Sequence, residues 1–357
     1  MRARSVLSEA ARNLLSGTTR AAALVFAFLL LCGMIGTIEG MSLNAILRDG
    51  EEFQAAGGAT YVLSAQAGVD GVQCENLARS AGVVGAGALR DVAAGRLSAL
   101  PISGVGLKEA TPGLLRAIAP ATGLRQPDRD GVLMPEELAA SLGALPGGTL
   151  ATSVGPLVVA GTFRYPDDGR DPVLANSMLG VIPAGGVFDE CWMSVWPYDP
   201  ATVQLLRTAL VASFPPNGDV AIRQLNTRHG ERFDGARRFA ERPTRYAPFL
   251  ALLLTTLLGF VGVWSRRLAL ASDRHVGARR GDQLAQLVVE SAAWCAAAVV
   301  VFLVMMRLVL LPGGDSPFVF HDVMRIGLIG AGGVLLGTVL AWASIREKQL
   351  FAYFKHR

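Results

Sequence analysis

Four cysteines, four histidines and one acidic segment are the groups of this 357-residue chain whose spacing could carry chemistry. Cys32 and Cys295 fall inside long apolar runs, whereas Cys74 and Cys191 lie in the polar middle. In an oxidising compartment Cys74 and Cys191 have two fates, a disulfide or two buried thiols, and the sequence leaves both open. Gln126 to Glu137 has the offsets of a calcium loop, with Asp128, Asp130, Gly131 and Glu137 in place and apolar Leu133 between them. Gln126 stands where the first acidic ligand belongs and Pro127 follows it, so the segment is read as a turn, a strand and a capped helix. His229, His275, His321 and His356 have no second ligand at metal spacing, and no metal site is expected. There is no Gly-x-x-x-x-Gly-Lys segment to cradle phosphates and no Gly-x-Ser-x-Gly elbow to present a nucleophile. The expectation is a chain that is not an enzyme and binds no cofactor of its own.

The elements around these groups are those of a membrane protein. Apolar residues make up 51% of the chain and charged residues 17%, against roughly 25% charged in a soluble domain. The net charge of +4 is built almost wholly on arginine, with lysine only at 108, 348 and 355. No basic run is interleaved with aromatics, so nucleic acid is not an expected partner. A bilayer core of about 30 Å takes roughly 20 apolar helical residues. Four runs qualify: Ala21 to Ile38, Tyr246 to Trp264, Ser291 to Leu311 and Ile326 to Ile345. Arg307 sits near the end of the third, where its side chain can reach the headgroups.

Arginine and lysine in short loops resist translocation and set orientation. The loop after the second run holds Arg266, Arg267, Arg274, Arg279 and Arg280, while Pro312 to Asp322 has no arginine or lysine. Arg2, Arg4, Arg12 and Arg20 at one end and Arg346, Lys348, Lys355 and Arg357 at the other agree, so both termini are expected in the cytoplasm of a plasma-membrane protein. The predicted order is a cytoplasmic amphipathic helix (1–20), a first span (21–40), an extracytoplasmic domain (41–245) and a second span (246–264). A cytoplasmic loop (265–287), a third span (288–311), a short external loop (312–322), a fourth span (323–345) and a tail (346–357) follow. The apolar stripe of the first helix is Val6, Leu7, Ala10, Ala11, Leu14 and Leu15. A retained anchor is preferred over a cleaved signal peptide, because no small-x-small site follows the first run promptly. Glu39, at the outer end of that run, is expected to meet solvent and is given no role.

In the external domain Thr60 to Ala65, Val83 to Leu89, Val132 to Met134, Val187 to Trp196 and Val220 to Arg223 read as strands. A helix capped by Asp70, another with Pro135 in its first turn that stops at Gly143, and Ala201 to Phe214 read as helices. Thr149 to Val154 and Leu157 to Phe163 flank Gly155 and Pro156 as a hairpin. A long polar helix is expected from Arg228 towards Arg245. The fold class is an α-helical membrane protein with four transmembrane helices and a large extracytoplasmic α+β domain between helices 1 and 2. Within the spans, Gly36 with Gly40 and Gly333 with Gly337 form Gly-x-x-x-Gly pairs that allow close helix packing.

This order resembles the permeases of the MacB, FtsX and LolC family of ABC transporters. The sharpest local match is Arg274-His275-Val276-Gly277-Ala278-Arg279-Arg280 followed by Glu290, which is similar to the family's Arg-x-x-Gly-Ala-x-x segment and the glutamate that opens span three. Ala269 departs from the glutamate often found eight residues before that glycine. Val132 to Gly143 with Gly147 to Phe163 is similar to the family's strand, helix and Gly-x-x-Leu hairpin. The resemblance implies a second permease, of the same or a related chain, and a cytoplasmic ABC ATPase dimer that binds ATP and magnesium. It implies that the N-terminal helix and Leu268 to Leu287, broken at Gly277, dock on the ATPase, and that spans one and two carry the motion outward. The external partner would be a peptide, a lipoprotein or a cell-wall protein. The contrasting expectation is a membrane-anchored receptor or scaffold that works without an ATPase.

Overall fold

The computed structural model describes residues 3–17, 19–92, 105–124, 127, 129–152, 155–215, 217–313 and 316–346. In chain order the elements are α1 (Ala3–Leu15), α2 (Ala21–Ala55), β1 (Thr60–Asp70), α3 (Gly71–Asn76), β2 (Val83–Val92), β3 (Gly106–Ala110), α4 (Pro112–Thr122), β4 (Val132–Pro135) and α5 (Glu136–Leu142). Next come β5 (Thr149–Thr152), β6 (Gly155–Phe163), β7 (Ser177–Val181), β8 (Val187–Val195), α6 (Pro200–Gln204), β9 (Ala221–Gln224), α7 (Gly235–Glu241), α8 (Ala247–Trp264), α9 (Arg267–His275), α10 (Arg280–Leu310) and α11 (Pro317–Ser344). The chain folds as two units, a helical one, Met1–Leu47 with Ala236–Arg357, and one built on a sheet, Arg48–Gly235.

Among the described residues of the chain, four helical segments are long and apolar enough to cross a membrane: Ala21–Ala55, Pro243–Trp264, Arg280–Leu310 and Pro317–Ser344. Their outward faces are apolar, as on Phe26 (68% exposed) and Phe249 (70% exposed), which is the pattern of helices solvated by lipid rather than water. Inside the helical unit Phe28, Cys32, Trp294, Cys295, Phe302, Met306 and Val334 form one core. The glycine pairs are spent within the chain. A Cβ on Gly333 would lie 2.2 Å from Thr255 Oγ1, and one on Gly337 would lie 2.0 Å from the Thr256 carbonyl, so α11 approaches α8 backbone to backbone. Gly36 and Gly40 instead make room for side chains of α10, Phe302 and Met306 against Gly36 and Leu310 against Gly40. Ser291 and Thr338 hydrogen-bond between α10 and α11 at 3.0 Å.

The first apolar run ends near Gly40, but α2 does not; it continues to Ala55. Residues 41–55 hold no proline and are mostly good helix formers, so nothing stops the helix until Gly57, whose φ of +82° closes the C-terminus with Gly58 N–H donating to the Phe53 carbonyl. The polar helix expected from Arg228 to Arg245 is not formed. Gly230 adopts φ +95° and Pro243 interrupts the rest, which leaves α7 and a 3-10 turn, Pro243–Tyr246. The helix expected over Ala201 to Phe214 shortens to α6 and a 3-10 turn, because Leu210 bridges to Val69 and Val211 N–H donates to the Gly68 carbonyl.

In the sheet unit nine strands, among the described residues, form one mixed sheet in the order β5-β6-β4-β7-β3-β2-β8-β1-β9. β1 and β2 each run antiparallel to β8, so the β1-α3-β2 crossover is split by a strand from later in the chain. Asp70 caps α3 by accepting from Val72 and Gln73 N–H. Cores lie on both faces. Leu63, Val69, Phe188, Met193 and Leu206 pack on one, and Val62, Leu114, Ile118, Leu179 and Trp192 on the other. α4 lies against bare backbone there: a Cβ on Gly87 would be 1.9 Å from Leu114 N. Cys74 on α3 and Cys191 on β8 are joined in a disulfide, with Cα atoms 5.8 Å apart and 117 residues between them in sequence. Gln126 and Asp128 of the calcium-like segment lie outside the described residues, and Asp130 and Glu137 are exposed.

Candidate functional site

At the end of the helical unit where α8 gives way to α10, the chain makes an elbow. α9 stops because Gly277 takes φ +100°, a conformation that side-chain-bearing residues resist. His275 to Arg280 form the exposed tip, and Val276 is 85% exposed there, an apolar side chain offered to solvent. Arg274 is not part of that surface. It is buried, donates from Nε to Gln283 Oε1 at 2.7 Å, and gives its other nitrogens to the carbonyls of Ile345 and Trp342. Those carbonyls end α11, so Arg274 supplies the cation and donors that a helix C-terminus lacks. The expected docking set therefore divides into one buried anchor, Arg274, and an exposed tip of His275, Val276, Gly277, Ala278, Arg279 and Arg280.

Glu290 forms a second anchor. It is 2% exposed and accepts from Arg266 at 2.6 Å, from Asn13 at 2.6 Å and from Gln286 at 3.2 Å. One carboxylate thus ties α1, the α8–α9 junction and α10 together, and it is paired and hydrogen-bonded as a buried charge requires. On α1 Ala10 is buried and Leu14 packs against the helical core, while Leu15, expected on the apolar stripe, is 89% exposed; the side chains of Val6 and Leu7 lie outside the described residues. Between α1, α9 and the start of α10 is a cleft of about 770 Å³ lined by Glu9, Asn13, Arg266, Ala269, Asp273 and Gln286 among others. Burial raises the Asp273 carboxyl above the usual carboxylate range, Glu9 adds to this, and Arg266 opposes it. Ala269 brings no charge to that wall of the cleft.

At the other end of the helical unit Glu39 is 1% exposed, against the expectation that solvent reaches it. Arg242 donates to it from Nε at 2.9 Å, reaches Asp322 at 3.5 Å and stacks on Phe239 at 3.7 Å. A carboxylate inside an apolar helix needs a cation at its own depth, and that need was the sequence signal for Arg242.

In the sheet unit Arg170 has the densest set of contacts. Its side chain is 1% exposed, pairs with Asp168 at 2.6 Å, and donates to the carbonyls of Ala121 and Ala55 at 3.1 and 3.0 Å. One guanidinium thereby caps the C-termini of α4 and α2. Asn226 donates to the Ala56 carbonyl at 2.9 Å and Gln224 to that of Gly58 at 2.6 Å, so the end of α2 is gripped by three side chains from two places in the sequence. Burial works against the Asp168 charge, but the hydrogen bonds and charge of Arg170 outweigh it and hold the carboxyl below its ordinary value. Burial pushes the phenols of Tyr165 and Tyr61 up. Around Tyr165, Asp168 and Arg170 opens a cleft of about 740 Å³, with Glu52, Glu137 and His229 on its rim.

Among the described residues no group of three or more His, Cys, Asp or Glu is placed to hold a metal. The buried charged side chains Glu39, Arg170, Arg274 and Glu290 are instead engaged in caps, ion pairs and helix junctions. No family model matches the chain, and no curated protein matches it.

Proposed function

We propose that this chain is the permease subunit of an ABC transporter complex of the MacB, FtsX and LolC type, in which a separate cytoplasmic ATPase moves the helices and the helices move an external domain. The observation that carries the reading is the elbow: an exposed tip, His275 to Arg280, whose base is fixed by Arg274 to the end of α11 and whose neighbour Glu290 fixes α1, α8 and α10 to one another. A partner that pushes the tip displaces several helices at once, because buried ion pairs and packed helix seams do not stretch. In this reading the four apolar helices cross the plasma membrane, both termini are cytoplasmic, and the sheet unit is external. The Cys74–Cys191 disulfide supports an oxidising location for that unit. The continuous α2, gripped at its end by Arg170, Asn226 and Gln224, carries displacement outward, so substrate need not pass between the spans. ATP and magnesium belong to the ATPase dimer, and a second permease, identical or related, completes the complex.

The test is purification of the tagged chain from its native membrane. The reading expects an ATP-hydrolysing partner to co-elute and the Arg279→Glu, Arg280→Glu variant to lose it. A chain that elutes without an ATPase under conditions that preserve membrane complexes supports the second reading, a receptor or scaffold whose external domain binds a peptide or cell-wall protein. The cleft beside Arg170 in the sheet unit favours that alternative.

A further inference from the structure

Three exposed arginines lie at one depth of the helical unit, at the end that carries Glu39. The layer is fixed by contacts: Arg242 joins Glu39 to Asp322, and Gly40 sits against Leu310. Arg245 is three residues beyond Arg242, Arg307 three before Leu310, and Arg325 three beyond Asp322. At a rise of 1.5 Å per residue in the α-helices, and about 2 Å in the 3-10 turn that carries Arg245, each lies about 4.5 to 6 Å, roughly one helical turn, from that layer. They belong to three different segments, the 3-10 turn before α8, the last turn of α10 and the first third of α11. Aromatic rings accompany two of them: Arg245 is 4.6 Å from the Tyr246 ring and donates to its hydroxyl, and Arg307 is 5.4 Å from the Phe320 ring. Phe249, Leu308 and Phe318, within a few residues of this layer in sequence, are exposed apolar side chains.

We propose that this end of the helical unit binds anionic phospholipid headgroups through Arg245, Arg307 and Arg325. Exposed guanidinium groups on three segments at one end of the helical unit, two of them beside aromatic rings and near exposed apolar side chains in sequence, match the headgroup layer in both chemistry and height. A guanidinium gives a phosphate two parallel hydrogen bonds, and neighbouring rings shield those bonds from water. Among the described residues three carboxylates lie at this end, Glu39, Asp322 and the exposed Glu241, and the first two are engaged. Glu39 is buried against Arg242, and Asp322 is shared between Arg242 and Arg325. The inference rests on the four helices crossing a bilayer and not on the ATPase partner.

The experiment titrates the full chain, in an uncharged detergent, with dioctanoyl-phosphatidylglycerol and separately with dioctanoyl-phosphatidylcholine. Bound lipid is read by native mass spectrometry and by the shift in melting temperature. The expected result is selective retention of the glycerol lipid, weakened by salt and by about fivefold for each Arg→Gln change at 245, 307 and 325. The triple Arg→Lys variant keeps most of the selectivity, which shows that the fold and the charge survive. Equal retention of both lipids overturns the proposal. So does selectivity that persists in the triple Gln variant and disappears in the Arg279→Gln, Arg280→Gln variant. Neither result bears on ATPase co-elution, so failure here is distinguishable from failure of the functional reading.

Discussion

Replacing Glu290 by alanine removes the acceptor that Asn13 uses to hold α1 on α10. The bond is 2.6 Å long and made to an ionised group, and such bonds contribute about 2 kcal/mol, within a range of roughly 1.5 to 3. Undocking of α1 should then rise by on the order of 30-fold, since 1.4 kcal/mol is about a factor of ten. Arg12 and Arg20 flank the joint, so trypsin reads the opened population directly when closing is faster than cleavage. The expected outcome is an initial cleavage rate there about 30-fold higher in Glu290→Ala, a similar rise in Asn13→Ala, and no further rise in the double variant, because both singles delete the same bond. Rates that multiply in the double variant, or a Glu290→Ala chain cleaved no faster than the parent, refute the reasoning that this carboxylate holds the N-terminal helix.

Reducing the Cys74–Cys191 bridge, or changing both residues to serine, should destabilise the sheet unit by about 5 kcal/mol in the chain-entropy account of so long a loop, seen as a lower melting temperature; an unchanged melt contradicts it. Gly337→Ala forces α11 off α8, because its Cβ would lie 2.0 Å from a backbone oxygen, and should cost about 1 to 3 kcal/mol or more, while Gly332→Ala, with nothing within 4 Å, should stay within about 0.5. Thermal unfolding of both in one detergent checks the contrast. Arg170→Met should leave Asp168 without its cation and two helix ends without donors, and lower stability by about 3 to 5 kcal/mol. Because Asp168 titrates lower in the folded state, its contribution is present above the unfolded value of 3.8 and is lost as pH falls below it through the folded value. Acid titration of the melting temperature should therefore show a step below about pH 4 in the parent that Arg170→Met lacks.

The four apolar helices were legible because a bilayer imposes a run length that few other environments demand, and Ala21, Trp264 and Leu311 fall at or next to helix ends in the structure. Their polar extensions were not. Residues 41–55 and 280–290 carry no apolar run, and their helicity follows from continuity with a helix already nucleated. β3, α4 and β7 were missed since β3 holds Lys108 and Glu109 on a short strand and α4 carries an internal Pro120. The long-range sheet order, with β8 between β1 and β2, has no local signature at all. At the elbow the sequence showed the tip and its charge. It did not show that Arg274 turns inward, because the carbonyls it satisfies belong to Trp342 and Ile345, far away in the chain.

The most direct measurement labels intact cells with a membrane-impermeant maleimide. The four native cysteines do not interfere, since two are buried and two are bridged. Cysteine is introduced at Leu145, 74% exposed in the sheet unit, or at Val276, 85% exposed on the elbow. The account predicts that Leu145→Cys labels in intact cells and Val276→Cys labels only after permeabilisation. Labelling of Val276→Cys in intact cells, or protection of Leu145→Cys until the membrane is opened, contradicts the claim that the helices tether an external domain to a cytoplasmic docking tip.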